Sequence, residues 1–354
     1  MTNQRKSQLE ILVEKLDREL IARGAQIPWE ERFKFTDKEG TPERGAVMKQ
    51  TKKLYQTAPP LNNALSHIDT SQLAKLLMIK ARELNRKRGI RGRDSRVDYY
   101  EITDKQIKKN ADSVAAVCMK NNLLDKEKGF STLKVKNYGK AFNLCNCEPF
   151  YRQPIAAGRL CTGFLVKEDV IATAGHCVCE NNVRDLYIVF GYKMLGLNTP
   201  VTWIPNENIY KGVRIIRRIC KRMGNQSDWA MIKLDRKVED REAVTLSEKK
   251  ISRDRPVYII GYPLGLPLKY SPGATVSDIS EAYFSADLNV YCGNSGSPVF
   301  DGKTHAVLGI VVRGDNRDFR LVENCWMSII YSRTDKYSKE PQCTRVSEFI
   351  EYCR

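Results

Sequence analysis

The sequence predicts a mainly α-helical amino-terminal region followed by an all-β domain. Helical spacing of apolar residues dominates the early part of the chain, whereas short apolar and alternating runs, separated by Gly, Asn and Pro, dominate the later part. Many short strands with turn signals are typical of a barrel or a sandwich. The predicted strands are Cys161–Val166, Val170–Thr173, Leu186–Phe190, Val213–Ile219, Trp229–Leu234, Pro256–Ile260, Val299–Phe300 and Val307–Val312.

Three helices are predicted ahead of these strands. The first follows a capping-box pattern that begins at Ser7, and it ends at Gly24. The second runs from near Thr70 to Gly89, with apolar residues at helical spacing. The third is predicted over residues 105–124, where apolar side chains again recur every three or four positions.

The net charge of +17 is concentrated at the amino-terminal end. Residues 1–97 carry 21 Lys+Arg against 12 Asp+Glu, a net +9, whereas residues 98–354 carry 38 against 30, a net +8. We therefore expect a basic helical domain with a linker over 1–97 and a second domain over 98–354. The excess charge favours a regulatory protein or another anionic partner, nucleic acid included, although no aromatic interleaving or nucleic-acid motif accompanies it.

The segment Arg86–Arg96, RKRGIRGRDSR, is strongly basic and contains glycine. This composition predicts an exposed, flexible and solvated linker. A phosphate-binding stripe is one alternative, and a protease-sensitive activation site near Lys87 to Ile90 is another.

No stretch approaches the roughly 20 apolar residues of a membrane-spanning helix, and the amino terminus lacks the apolar core of a secretory signal. We therefore expect a cytoplasmic protein with no membrane partner. Eleven cysteines favour an oxidising compartment instead, so secretion by another route stays open. The Cys-x-Cys spacings and the three histidines do not suit a zinc site, and no metal is expected.

The decapeptide Tyr291–Phe300, YCGNSGSPVF, contains a serine between two glycines. Gly293 and Gly296 let the backbone turn tightly and let a substrate carbonyl approach Ser295. The amides of Gly293 and Ser295 can then point at one oxygen, as an oxyanion hole requires. Because such residues also populate ordinary turns, the interpretation depends on a histidine and a carboxylate elsewhere in the chain.

A histidine and a carboxylate do occur at suitable places. His176 lies in TAGHC, directly after a predicted strand, where its ring can point into a cleft. Asp228 lies in SDWAMIKL, directly before an alternating strand that can fix its side chain while it accepts a hydrogen bond from an imidazole. Asp235 and Asp240 are rivals by position, but they follow that strand and look like ordinary turn residues.

Cys161 and Cys177 could form a disulfide beside the predicted histidine. They lie sixteen positions apart, and adjacent strand ends in a hairpin would bring the two sulfurs together. A disulfide would brace the loop, whereas two reduced thiols would leave the chemistry intact.

The motifs TAGHC, SDWAMIKL and GNSGSPVF, in this order, resemble those of the chymotrypsin-fold (trypsin-like) serine endopeptidases. The most similar branch is the bacterial glutamyl-endopeptidase-like group, and the resemblance covers roughly residues 98–354. It implies two six-stranded antiparallel barrels with a cleft between them and no cofactor. It also implies that Ser295 attacks a peptide carbonyl, that His176 is the general base oriented by Asp228, and that water hydrolyses the acyl-enzyme.

The resemblance also indicates where the specificity pocket should lie. Its floor is expected near Asn289 and Val290, and Val311, Arg313 and Gly314 would supply one wall. Asn289 lacks the charge that would favour a basic substrate residue. Arg313 could attract an acidic substrate residue or lie solvated at the rim.

Asn294 stands where digestive relatives have an aspartate that pairs with a newly cut terminal amine. A neutral amide cannot form that charge-assisted pair, so a cut near Lys87 to Ile90 would not activate the protein in that way. The predicted partner is a protein or peptide substrate. Two alternatives are an idle protease-fold binding module and a protease controlled by nucleic acid bound to residues 1–97.

Overall fold

The computed structural model describes residues 94–125, 129–158, 160–220, 227–314, 318–322, 324–329 and 340–353, and the backbone of 90–91 and 330–331. These residues belong to a compact unit, Arg88–Arg354. The two helices predicted to end at Gly24 and Gly89, and the possible activation site at Lys87 to Gly89, lie outside the described residues.

Strands make up most of the described chain. The two α-helices within it are α1 (Lys105–Asp112) and α2 (Tyr138–Ala141). The 3₁₀ turns are Tyr99–Glu101, Lys120–Asn122, Gly175–Cys177, Val183–Asp185, Asn206–Asn208, Pro263–Gly265, Val346–Glu348 and Ile350–Cys353. The strands are β1 (Ile90–Arg91), β2 (Val97–Asp98), β3 (Val114–Met119), β4 (Leu123–Asp125), β5 (Phe130–Leu133), β6 (Val135–Asn137), β7 (Pro154–Ala156), β8 (Leu160–Lys167), β9 (Val170–Thr173), β10 (Leu186–Phe190), β11 (Trp203–Pro205), β12 (Ile209–Cys220), β13 (Asp228–Leu234), β14 (Pro256–Gly261), β15 (Lys269–Ile279), β16 (Tyr283–Ala286), β17 (Pro298–Asp301), β18 (Val307–Arg313), β19 (Phe319–Val322), β20 (Cys325–Ser328), β21 (Ile330–Tyr331) and β22 (Gln342–Arg345).

The first barrel is closed, with the strand order β10-β12-β13-β9-β8-β3, and every pairing in it is antiparallel. Several of its strands are apolar on both faces, because one face fills the barrel and the other is covered by neighbouring chain. Leu165, Ile171, Ile188, Phe190 and Ile232 belong to its interior cluster.

The second barrel follows the order β14-β17-β18-β22-β16-β15 and is closed by the pairing of β14 with β15. Strand β2 adds to the outer side of β15. Side chains such as Val257, Ile259, Phe284 and Val299 fill its core. Two closed six-stranded antiparallel barrels confirm the fold class that the sequence predicts for this part of the chain.

The helix predicted over 105–124 is wrong in its second half. Asp104 caps α1 by accepting hydrogen bonds from the amides of Gln106 (2.8 Å) and Ile107 (2.9 Å), and the helix ends at Asp112. The next six residues, VAAVCM, form β3, which lies between β8 and β10 and is almost wholly buried. A short run that is apolar on both faces has no period that separates a buried strand from a helix.

The prediction of an exposed linker over Arg86–Arg96 is also wrong where the structure describes it. Arg96 is 5% exposed, and β2 follows it directly as a strand of the second barrel. The six Lys and Arg residues and two glycines of this segment favour solvation, but the Asp94 carboxylate and two aromatic rings outweigh that composition at Arg96. No helix among the described residues is long and apolar enough to cross a membrane.

Candidate active site

His176 and Asp228 lie at the same end of the first barrel. His176 follows β9, Asp228 begins β13, and these strands pair with Ala230 opposite Thr173. The His176 Nδ1 atom is 2.7 Å from Asp228 Oδ2, and the main-chain N–H of His176 donates to Asp228 Oδ1 at 3.0 Å. The carboxylate side chain is 1% exposed and the imidazole 13%. This double contact fixes the ring and leaves its Nε2 atom for another partner.

Gly175 allows the chain to approach Asp228 closely. A Cβ atom at this position would lie 2.1 Å from Ile219 O and 2.9 Å from Asp228 Oδ1. Arg218 Nε donates to Gly175 O at 2.7 Å, so strand β12 holds the same turn from the other side. Gly175 is therefore required by the packing beside the histidine.

A residue that the sequence analysis missed also holds Asp228. The main-chain N–H of Asp228 donates to Thr344 Oγ1 at 3.1 Å, and this hydroxyl in turn donates to Asp228 O, also at 3.1 Å. Thr344 is fully buried in β22 of the second barrel. Next to it, Ser227 Oγ hydrogen-bonds Glu348. The segment that carries the carboxylate is thus fixed by the carboxy-terminal end of the chain, a link of 116 residues that no local pattern signals.

Ser295 lies on the loop before β17, between two glycines with left-handed backbone. Gly293 has φ +95° and Gly296 has φ +90°, conformations that L side chains rarely adopt. A Cβ atom at Gly296 would lie 1.9 Å from Thr162 O, and one at Gly293 would lie 2.5 Å from Tyr262 O. Both glycines are therefore needed for the turn and for its close contact with neighbouring backbone.

The hydrogen bonding of this loop separates its amides into two groups. The N–H of Asn294 donates to Tyr291 O at 3.1 Å, and that of Gly296 donates to Val311 O at 2.8 Å. The N–H groups of Gly293 and Ser295 donate to no acceptor within the part of the chain that the structure describes. Those two amides are the ones that the sequence predicts for an oxyanion hole.

Ser295 lies beside the histidine turn. The N–H of Thr162 donates to Ser295 O at 2.9 Å, and Cys177 Sγ lies 3.8 Å from the same oxygen. Across the described residues, no hydrogen bond joins Ser295 Oγ to the His176 ring.

Two disulfides are present among the described cysteines. Cys161–Cys177 joins β8 to the histidine turn, at the position that the sequence analysis considered, and Cys145–Cys325 was not anticipated. No cluster of three or more His, Cys, Asp or Glu side chains in the described ranges could hold a metal ion.

The residues predicted for the specificity pocket are partly brought together. A Cβ at Gly314 would lie 3.2 Å from Val290 Cγ2, and Val311 is buried, with its N–H bonded to the Ser295 loop at Ser297 O (2.9 Å). Arg313 Nη1 is 3.4 Å from Gln342 Oε1.

Asn289 is 6% exposed, and its Nδ2 donates to Ser95 Oγ at 3.0 Å. Its amide is thus engaged by a residue far upstream in the chain.

Residues 161–310 match the family described as the trypsin-like peptidase domain. The matched span is less than half of the 354-residue chain, and it contains His176, Asp228 and Ser295. Together with the two closed barrels, this match supports a peptidase of the trypsin-like class, that is, a hydrolase with a chymotrypsin-like fold.

Solved structures similar to this chain include a Glu endopeptidase in complex with MPD, the Vibrio cholerae VesB protease and an inactivated protease paralogue of the scabies mite. Each is 15% identical, with TM-scores of 0.44, 0.43 and 0.42 in that order. The matches cover 74%, 73% and 69% of this chain, and 98%, 66% and 93% of the other chains. Likeness at this level carries no argument about activity.

Proposed function

We propose that the protein is a serine endopeptidase with Ser295 as nucleophile, His176 as general base and Asp228 as the residue that orients the base. His176 Nε2 takes the proton of the Ser295 hydroxyl while the oxygen attacks the peptide carbonyl carbon. The amide bond then breaks, and His176 returns the proton to the leaving amine. Water, activated by the same imidazole, hydrolyses the acyl-enzyme and restores the free serine.

The developing negative charge needs donors that are already in place. The N–H groups of Gly293 and Ser295 fill this role in the proposal, since they donate to no protein acceptor in the described structure while the neighbouring amides do. Because the chain contains the motif Gly-Asn-Ser-Gly-Ser-Pro, the proposal also places it in the glutamyl-endopeptidase-like branch.

The observation that supports this function best is the double contact of Asp228 with His176, at 2.7 Å to the ring and 3.0 Å to the main chain. A buried carboxylate that accepts from Nδ1–H selects the tautomer with a basic Nε2. The same contact stabilises the imidazolium that forms when the base takes a proton. An exposed or unpaired histidine would offer neither advantage.

Labelling with a fluorophosphonate probe tests the proposal. Ser295 Oγ should displace fluoride and form a phosphonate ester, which intact-mass analysis detects as one adduct per chain. Ser295→Ala and His176→Ala should abolish the adduct, whereas Ser252→Ala, which changes an exposed serine elsewhere, should retain it. A folded wild-type sample that stays unlabelled would contradict the proposal.

The second candidate is an idle binding module, and one observation favours it: Ser295 Oγ makes no hydrogen bond to the His176 ring among the described residues. In that case peptides would bind in the cleft without turnover. Isothermal titration to find peptides that bind, followed by mass spectrometry of the bound peptides, would distinguish the two functions, because a module leaves them intact and an endopeptidase cleaves them.

A further inference from the structure

Residues 94–98, which we call the strap, lie against the second barrel although they precede the first barrel in sequence. Val97 and Asp98 form β2 and pair with Tyr270 and Lys269 on the outer side of β15. Val97 and Asp98 therefore add an edge strand, and residues 94–96 of the strap extend toward the segment that leads to Ser295.

The first contact with that segment is made by Ser95. Its hydroxyl donates to Pro272 O at 2.8 Å and lies 3.3 Å from Ser271 Oγ. It also accepts a hydrogen bond from Asn289 Nδ2 at 3.0 Å. Asn289 lies six positions before the nucleophile, so the strap reaches the beginning of the nucleophile loop.

The second contact is made by Arg96, whose side chain is 1% exposed. Its guanidinium forms a fork with Asp94, with Nε and Nη2 at 2.9 and 2.7 Å from the two carboxylate oxygens. The guanidinium carbon lies 4.3 Å from the centre of the Tyr291 ring and 5.2 Å from that of Phe150. Burial opposes the charge, yet Tyr291 and Asp94 raise the pKa of Arg96 above its ordinary value. The cation is thus fixed against the ring of Tyr291.

The strap cannot move freely, because its other end is held by a buried polar network. Lys269 Nζ pairs with Asp98 and donates to Gln153 Oε1 at 2.7 Å, while Gln153 Nε2 donates to Asp98 at 2.6 Å. Lys269 Nζ also lies 4.5 Å from the centre of the Phe150 ring. Phe150 therefore lies within reach of two buried cations, one on the strap and one on β15.

Tyr291 lies two residues before Gly293, and its main-chain carbonyl accepts a hydrogen bond from the N–H of Asn294. This hydrogen bond closes the turn in which the Gly293 and Ser295 amides have no acceptor among the described residues. Ser95 and Arg96 contact alternate residues, 289 and 291, on the approach to that turn.

We propose that the strap holds residues 289–294 in the shape that the oxyanion hole needs, with Arg96 as a positioning residue, so that the site is ordered in the uncut chain. The inference depends on the proposed function for its catalytic consequence. Its structural consequence, an ordered loop at 289–294, does not depend on it.

Hydrogen exchange and steady-state kinetics, both measured on the full chain, test whether the strap orders this loop. In Arg96→Met the peptide that covers 289–297 should exchange roughly tenfold faster than in wild type, while the peptide that covers 174–178 should not change. The value of kcat should fall roughly 10- to 100-fold with KM nearly constant, as for the loss of oxyanion donors. Arg214→Met, at an exposed arginine of β12, is the matched control and should leave both readouts unchanged.

Two results would contradict the proposed role of the strap. One is Arg96→Met with wild-type exchange over 289–297. The other is faster exchange of equal size over 174–178 and 289–297, which would indicate a general role in stability. If the wild type itself hydrolyses no peptide and takes no phosphonate, the serine endopeptidase proposal fails, and the exchange measurement still decides whether the strap orders the loop.

Ser95→Ala is the second variant, because loss of a buried arginine can prevent folding. It removes one hydroxyl and leaves the Asp94 to Arg96 pair in place. Exchange should then increase over 289–297, by less than in Arg96→Met, with kcat lowered severalfold. Unchanged exchange in a folded Ser95→Ala sample would show that the hydrogen bond between Asn289 and Ser95 does not order residues 289–294.

Discussion

The two halves of the candidate site are built in different ways. The His176 and Asp228 half is made largely within the first barrel, by the ends of two paired strands and a glycine turn. The Ser295 half stands on the second barrel and is contacted by residues almost 200 positions upstream, at Ser95 and Arg96. The arrangement of His176 and Asp228 thus depends mostly on one barrel, whereas that of the loop carrying Ser295 depends on residues remote in sequence.

Asp228→Asn is the strongest way to break the local half. It keeps the side-chain shape, but its amide NH2 can donate to Nδ1. The favoured tautomer then carries its proton on Nε2, which can no longer act as a base. We expect kcat to fall by about 10⁴ with little change in KM. Steady-state kinetics on a cleaved peptide would measure this, and a loss of less than tenfold would show that the carboxylate does not orient the base.

Gly296→Ala is the strongest way to break the distant half. Its φ of +90° and the 1.9 Å approach of Thr162 O leave no room for a methyl group. We expect loss of phosphonate labelling and a lower free energy of unfolding by about 3 kcal/mol or more. Gly191→Ala is the matched control, since Gly191 has φ +82° but nothing within 4 Å, and it should cost about 1 kcal/mol with labelling retained. Equal effects of the two variants would contradict the packing argument.

Thr344→Val tests whether the local half is independent of the second barrel. The variant keeps the side-chain shape but leaves the buried N–H of Asp228 without its acceptor, a loss of about 1–3 kcal/mol in the free energy of unfolding. We expect kcat to fall roughly tenfold at constant KM, with recovery in Thr344→Ser, which keeps the hydroxyl. A serine variant as slow as the valine variant would assign the effect to packing.

Lys269, the buried cation of β15 that pairs with the strap, affects how stability depends on pH. Burial lowers the pKa of Lys269 to about 8, although Asp98 acts to raise it. Because the unfolded chain keeps its ordinary value of 10.5, it binds more protons than the folded chain between pH 8 and 10.5. The free energy of unfolding of wild type relative to Lys269→Met should therefore rise across that window and stay constant below it. Denaturant titrations at pH 7 to 10 would measure the difference, and a flat or falling difference would contradict the assigned shift.

The sequence predicts the parts of the site that depend on short-range patterns. Leu186–Phe190 is a strand with the predicted bounds, and His176, Asp228 and Ser295 each lie next to a strand, as their motifs indicate. A strand period or a Gly-rich turn is encoded within a few residues, so one sequence suffices to find it.

The rest of the site depends on pairings that are remote in sequence. Thr344 contacts Asp228 across 116 positions, and Cys145 pairs with Cys325 across 180. Arg96 is buried because aromatic rings from two other segments cover it, and its own neighbours in sequence favour solvent. Residue types alone do not specify such partners.

The placement of β2 and Thr344 has a consequence for biosynthesis. Asp98 leaves the ribosome before the first barrel is made, but its pairing partner Lys269 follows 171 residues later, and Thr344 follows Asp228 by 116 residues. Domains tend to fold as they are made, from the amino terminus onward. The first barrel can close during translation, yet Asp228 gains its hydrogen bonds to Thr344, and the strap pairs with β15, only after those strands of the second barrel have been made. A nascent peptidase of this design would therefore stay inert until β22 has been made.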